Sequence, residues 1–315
     1  MPRIASFLAS GTEIVAALGL KDDLVAISHE CDWPPDVLDR PRLSRPRFDP
    51  AALDSGGIDR AVRDAMLEYG SVYAIDDEAL ALARPDVILT QAVCEVCAVP
   101  TPGVADAVAR LGLAAEVVSL DAHTVQDILD SILRVGTATG AADQAADVVA
   151  DLSARIERVR DAVRDAARPG VLALEWLDPP FAPGHWVPEM VEIAGGLCLA
   201  GTAGAHSLEL AWSDLAGLDP DILILMPCGY GLEATRRDAD AVAGHLREVA
   251  PRAIADGRAW IVDGSSYFNR SGPRFVTGLE ILAGVIHADR FAAPPAGTAA
   301  RWGGAWSGGH APESR

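Results

Sequence analysis

Two thiols separated by two residues are the first feature of this sequence that could do chemistry. Cys94 and Cys97 form a Cys-x-x-Cys pair directly after an apolar stretch, and His29 and Cys31 follow another apolar stretch. Zinc accepts an imidazole and three thiolates in closed tetrahedral sites, and thiolates also hold iron–sulfur clusters. These four side chains are therefore a candidate zinc or iron–sulfur site, on the condition that the two stretches form neighbouring parallel strands.

Other interpretations of the thiols remain open. A redox pair of the thioredoxin type sits at the start of a helix. Here the next helix is predicted to begin near Pro102, several residues after Cys97, and this distance argues against a redox pair. The pair could instead supply a nucleophile, Cys94 or Cys97, with His29 as its base. In the simplest interpretation, both cysteines are small polarizable residues that line a cleft.

Aromatic, histidine and charged side chains are concentrated just after the predicted strands. Ligands of parallel α/β sheets bind at the carboxyl ends of the strands, so residues at these positions are candidates for ligand binding. His185 could also coordinate a metal carried by a bound cofactor. The candidate ligand-binding residues are Trp33, Trp176, His185, Trp186, Tyr230, Tyr267, Phe268 and Arg270.

The elements that must position these residues alternate along the chain. Short apolar runs alternate with helix-period segments in both halves, which is typical of an α/β fold with parallel strands. Between the halves, a stretch with apolar residues at helical spacing contains no proline, although a break near Gly140 would divide it into two ordinary helices. We therefore predict two Rossmann-like lobes with mostly parallel sheets, joined by a long backbone helix. The predicted boundaries are an N-terminal lobe over 1–121, the helix over 122–167, a C-terminal lobe over 168–290 and a loose tail over 291–315.

Composition excludes several partners. The chain has 315 residues and a net charge of −19, and a surface of this sign repels nucleic acid and anionic membranes. It contains no apolar run long enough to span a bilayer. The N-terminal residues lack the pattern of a secretory signal, so we expect a cytoplasmic protein, or a periplasmic or extracellular one if the chain was trimmed. The five cysteines are then expected to be reduced.

Sequence motifs of common enzyme classes are not found. The chain has no GxSxG elbow, no P-loop, no GxGxxG after its first strand and no HExxH. We therefore expect a binding protein rather than an enzyme.

Several segments resemble, in order, the substrate-binding proteins for cobalamin and iron-siderophores. The opening RIASFLASGTEIVAALGLKDDLVAISHECDWPPDV is similar to the first strand-helix-strand unit of that family. ALARPDVILTQ, EMVEIAGGLCLAG and LAGLDPDILILMPCG are similar to its Pro-Asp strands and to its second-lobe Ala-Gly-Gly helix. The resemblance covers roughly residues 3–290.

This resemblance implies a fold and a function. It implies two α/β lobes around a shallow cleft, which binds a ligand without large hinge closure and delivers it to an ATP-driven (ABC) permease. The cobalamin-binding branch fits best, so cobalamin or a related metal chelate is the expected ligand. In that branch, aromatic side chains of the cleft pack against the corrin. By position, the residues that could do so here are Trp33, Trp176, Trp186, Tyr230 and Phe268. The thiol and imidazole set is not part of the family pattern.

Overall fold

A parallel sheet forms the core of the N-terminal lobe in the computed structural model, which describes residues 2–92 and 98–303. Its strands run in the order β2-β1-β5-β6. They are short, apolar and mostly buried, as expected for strands that are covered on both faces. Their bounds are β1 Ile4–Ser6, β2 Leu24–Ala26, β5 Val87–Thr90 and β6 Glu116–Ser119.

Helices cover this sheet, and β3 and β4 pair as a separate antiparallel two-stranded sheet. Its strands are β3 Ser44–Pro46 and β4 Tyr73–Ile75. The helices are α1 Ala9–Ala17, α2 Ser55–Tyr69, α3 Asp77–Ala83, α4 Thr101–Leu111 and α5 Val125–Thr139, and the 3₁₀ turns are Lys21–Asp23, Pro35–Val37 and Pro50–Ala52.

The C-terminal lobe repeats the architecture with a second sheet, ordered β10-β7-β12-β13-β14. Every pairing in it is parallel except that of β13 with β14. The strands are β7 Gly170–Leu174, β10 Leu197–Cys198, β12 Ile222–Leu225, β13 Ala259–Val262 and β14 Ala299–Arg301. A small antiparallel sheet lies at its edge, made of β8 Trp176–Leu177, β9 Pro180–Ala182 and β11 Leu208–Glu209.

The helices of the second half of the chain start with α6, which connects the two lobes. They are α6 Ala142–Val163, α7 Val187–Ile193, α8 Trp212–Leu215, α9 Leu232–Ala241, α10 Ala243–Val249, α11 Pro251–Ala255, α12 Gly264–Tyr267 and α13 Phe275–Ile286. Within the described residues, none of the helices is both long and apolar enough to cross a membrane.

The connection between the lobes consists of two helices, where the sequence suggested one continuous helix. Helix α5 ends at Gly140, whose φ of 74° lies in the left-handed region that favours glycine. At the turn α5 and α6 lie so close that a Cβ on Gly136 would clash with the Cβ of Ala145. The long connecting helix is therefore α6, with 22 residues and a length of about 33 Å.

The end of the described chain is more ordered than the predicted loose tail. Strand β14 pairs with β13, and the indole of Trp302 is buried and donates to Oδ1 of Asp240 at 2.9 Å. The Gly- and Ala-rich composition did not reveal this strand, because its stability comes from an edge of the sheet that is distant in sequence.

One hydrophobic core continues through both lobes. It includes Ile4 of the first sheet, Ile132 of α5, Ile156 of α6 and Ile224 of the second sheet. Because burial of apolar surface is the main favourable term in folding, this shared core holds the lobes in a fixed relation.

Candidate functional site

A cavity of about 430 Å³ lies between the lobes. The N-terminal lobe contributes residues 8–10 after β1 and Tyr73 of β4, and the C-terminal lobe contributes Trp176 and Tyr230 after its parallel strands. Strand ends of both sheets therefore build a single cleft, at the position where parallel α/β sheets hold ligands.

Aromatic rings form much of the cleft wall. The ring centroids of Trp176 and Tyr230 are 5.2 Å apart and tilted by 53°. The indole nitrogen of Trp176 donates to the backbone oxygen of Asp178 at 3.1 Å, which fixes its orientation. Burial raises the pKa of Tyr230 to about 12, so its phenol is neutral at pH 7. The other aromatic lining residues are Phe48, Tyr73 and Phe181.

The polar part of the lining is mostly uncharged. Its neutral members are Ser10, Gln91, Ser207, Ser265, Asn269 and Ser271. Among the described residues, the charged members are Glu30, Asp59, Glu175 and Arg270. Carboxylates thus outnumber cations along the cleft.

Arg270 belongs to a cluster of ion pairs between the lobes, which we call the interlobe ion cluster: Glu13, Asp32, Arg270 and Arg274. Nη1 of Arg270 lies 3.2 Å from Oε1 of Glu13, and its Nη2 lies 2.9 Å from Oδ2 of Asp32. Nη2 of Arg274 lies 2.6 Å from the same Glu13 oxygen. The side chains of Glu13 and Arg270 are 2% and 9% exposed, whereas that of Asp32 is 55% exposed.

Asp32 and Arg270 of the interlobe ion cluster keep their charges at neutral pH. Burial acts against ionisation of both Asp32 and Arg270, but their mutual hydrogen bond and attraction outweigh it. The pKa of Asp32 is therefore lowered and the pKa of Arg270 is raised from their ordinary values. The charge of Arg270 is thus already balanced before any ligand enters.

His29 and Cys31, two of the four predicted metal ligands, contact different partners and not each other. Nδ1 of His29 lies 2.8 Å from Oγ of Ser44, and its Nε2 lies 3.0 Å from Oε1 of Glu30. The sulfur of Cys31 instead lies 3.1 Å from Oγ1 of Thr12.

Cys31 is buried among core side chains, and this burial raises its pKa to about 11, so it is a neutral thiol. Cys94 and Cys97 lie outside the described residues. Within 2–92 and 98–303, no group of three or more His, Cys, Asp or Glu side chains has its ligand atoms arranged around a common metal position. Zinc or iron–sulfur binding by the predicted set gains no support.

Three of the eight predicted ligand-binding residues, Trp176, Tyr230 and Arg270, line the cleft. Phe268 is fully buried in the core, and the indole nitrogen of Trp186 donates to its backbone oxygen at 3.0 Å.

The remaining predicted aromatics, Tyr267 and Trp33, lie near the guanidinium of Arg274, at 5.7 and 5.4 Å from their ring centroids. Neither is part of the cavity lining. His185 also lies elsewhere, beside His123 and His206.

Sequence reasoning missed Phe48, Tyr73 and Phe181. Tyr73 and Phe181 belong to the antiparallel strands β4 and β9, and Phe48 follows β3, so none of them is placed directly after a parallel strand. The run of turn residues around Phe181, DPPFAPG, was the signal that could have revealed a hairpin at the cleft.

The sequence model of the family described as Periplasmic binding protein matches residues 4–250. The chain belongs to this periplasmic binding protein family. No curated protein matches the sequence.

Solved structures of periplasmic binding proteins have the same fold. A periplasmic heme-binding protein from Pseudomonas aeruginosa superposes with a TM-score of 0.72 at 19% identity, covering 96% of this chain and 98% of its own. The periplasmic vitamin B12-binding protein BtuF of Vibrio cholerae gives 0.67 at 18% identity, covering 91% and 97%. A possible iron-binding, periplasmic solute-binding protein from Staphylococcus epidermidis gives 0.66 at 20% identity, covering 90% and 98%.

Membership of the periplasmic binding protein family corrects one expectation and confirms another. The expected cytoplasmic location is wrong, because the family model is that of a periplasmic binding protein and similar structures such as BtuF are described as periplasmic, which points to a periplasmic or extracellular location. The expectation of a binding protein rather than an enzyme is confirmed, since this family binds ligands without converting them. The alternatives of a thiolate metal protein and of a cysteine-dependent enzyme are not supported.

Proposed function

We propose that the cleft binds a corrinoid of the cobalamin class. One observation carries this choice among metal chelates: the lining has three carboxylates, and its single described cation, Arg270, is neutralised by Glu13 and Asp32. Heme carries two propionates, and many ferric siderophores are anionic, so neither would find an unpaired cation among the described lining residues. Of the lining carboxylates, Asp59 is paired with Arg63 at 2.8 Å and Glu30 lies 3.0 Å from Nε2 of His29. Corrinoids carry neutral amide side chains around the ring.

The remaining lining supports the same ligand. Serine hydroxyls and side-chain amides of the cleft can exchange hydrogen bonds with peripheral amides. The tilted pair of Trp176 and Tyr230 offers apolar faces to a macrocycle. The structural neighbours include one protein described as binding vitamin B12 and others described as binding heme, which supports the broader ligand class.

We further propose that the ligand is passed to an ABC permease. Family membership supports this, because the matched structures include an ABC transporter substrate-binding protein from Listeria monocytogenes.

The test is a titration with cyanocobalamin, hemin and a ferric siderophore, followed by tryptophan fluorescence and calorimetry. We expect saturable quenching by cyanocobalamin. Trp176→Ala should weaken binding by about 1–3 kcal/mol, the range for loss of a large buried apolar contact. Trp33→Ala is the matched control, because Trp33 does not line the cavity and should leave affinity unchanged.

A charge variant separates the ligand classes. Glu30→Gln removes a lining carboxylate whose pKa is lowered by its hydrogen bond with His29. It should improve hemin binding and leave cyanocobalamin binding nearly unchanged. Tight binding of hemin by the parent protein, with none of cyanocobalamin, would refute the proposal.

A further inference from the structure

Three histidines from separate segments meet at a junction outside the cleft lining. The ring centroids of His123 and His185 are 5.6 Å apart, those of His123 and His206 are 5.8 Å apart, and those of His185 and His206 are 5.3 Å apart. His123 precedes α5, His185 precedes α7, and His206 follows β10. We call this nearly equilateral arrangement the histidine cluster.

Tight packing of two loops places two members of the histidine cluster side by side. The backbone nitrogen of His185 donates to the oxygen of Ala205 at 2.6 Å, and the nitrogen of Gly204 donates back to the oxygen of His185 at 2.9 Å. A Cβ on Gly184 would clash with the backbone of Ser207. Glycine at 184 is therefore required for this close approach.

His185 has two unusual features. Its φ of 52° lies in the left-handed region, which non-glycine residues occupy at a cost and which is enriched at functional sites. Its Nε2 is buried and has no hydrogen-bond partner among the described residues. Buried polar atoms without a partner are uncommon and unfavourable. In the tautomer that leaves Nε2 unprotonated, a metal ion bound to this nitrogen would remove the penalty.

We propose that His123, His185 and His206 bind one late first-row divalent metal ion, with zinc as the reference case. On one zinc with Zn–N bonds of about 2.0–2.1 Å and tetrahedral angles, three imidazole ring centres lie roughly 5 Å apart. The observed centroid distances are close to this spacing. As the side chains are placed, no group of three such residues in the described part of the chain is arranged to hold a metal. Metal binding therefore requires the three rings to rotate about χ2, which is a broad torsion for histidine.

The surroundings fit such a site. The backbone nitrogens of His123 and Thr124 donate to Oδ2 of Asp127 at 2.9 and 2.8 Å, which fixes the segment that carries His123. His206 is exposed, which gives the ion a route from solvent and leaves the fourth position to water. The ion would connect the segment before α5 to two loops of the C-terminal lobe.

The proposal is tested by calorimetric titration of ZnCl2 into EDTA-dialysed protein, with melting curves recorded in parallel. We expect one zinc per chain and a higher Tm with zinc, since an ion that binds only the folded state stabilises it. His206→Ala should weaken binding at least about 10-fold, the smallest loss usual even for an outer-shell partner. Because His206 is exposed, this variant should fold normally.

Two controls make the result specific. His245→Ala removes a histidine that stacks on Trp212 at 5.0 Å, away from the histidine cluster, and should retain zinc. Cys94→Ser/Cys97→Ser removes the thiols that could compete for zinc and should also retain it, and bound Co²⁺ should show no thiolate charge-transfer band. Zinc binding that survives His206→Ala and His185→Ala, or that disappears in the cysteine variant, would overturn the proposal.

Discussion

Removing the charge of Glu13 should destabilise the protein far more than removing the charge of Asp32. Glu13→Gln leaves two guanidiniums facing one carboxylate, and Arg270 is only 9% exposed. Breaking a buried ion pair by removing one partner costs about 3–5 kcal/mol. Asp32→Asn is the matched control, because Asp32 contacts the same Arg270 but is 55% exposed. Exposed pairs contribute about 0–1 kcal/mol.

The expected stability losses of Glu13→Gln and Asp32→Asn differ by about 3 kcal/mol, which corresponds to roughly a hundredfold difference between their unfolding equilibrium constants. Urea unfolding, followed by circular dichroism, measures it in both variants. Salt provides a second criterion, since about 1 M NaCl screens exposed charges but affects buried pairs much less. The loss in Asp32→Asn should therefore shrink with salt, while that in Glu13→Gln should persist. Equal losses, or equal salt sensitivity, would refute a desolvated interlobe ion cluster.

Three further changes probe the core, the turn and a buried acid. Phe268→Ala should lower the free energy of unfolding by about 3–5 kcal/mol because the ring is fully buried; a loss below about 1 kcal/mol in urea unfolding would place the ring outside the core. Gly136→Val should lower Tm because its side chain would collide with Ala145, and an unchanged Tm would contradict the close α5–α6 turn. Burial, with Asp178 and Asp54 nearby, raises the pKa of Asp238, so unfolding free energy should fall as pH rises from about 4 to that raised pKa. Asp238→Asn should remove this slope and be more stable than the parent at pH 7; the same slope in the variant would exclude Asp238 as its source.

The strands could be predicted from the sequence because each is a short apolar run. Val87–Thr90 and Ile222–Leu225 have the predicted character, and their flanking turn signals delimit them. The glycine at position 140 was consistent with a break in the connecting helix. Periodicity alone, however, does not determine whether a glycine is tolerated within a helix or ends it.

The site was predicted less well, because strand-end position does not fix the direction of a side chain. Trp176 and Trp186 both follow β7, yet Trp176 lines the cleft while Trp186 packs on the core. Contacts between distant segments, such as the pair of His123 and His206, depend on loop packing that local pattern does not encode.

Strand β14 has a protective consequence for the protein. Without it, β13 would present its free N–H and C=O groups along an apolar strand at the margin of the second sheet. Exposed edge strands pair readily with other chains, so β14 limits self-association by covering β13. The opposite margin, β10, has only two residues and offers little template for pairing. A chain cut before Ala299 should therefore be more prone to aggregate even though its cleft would be complete.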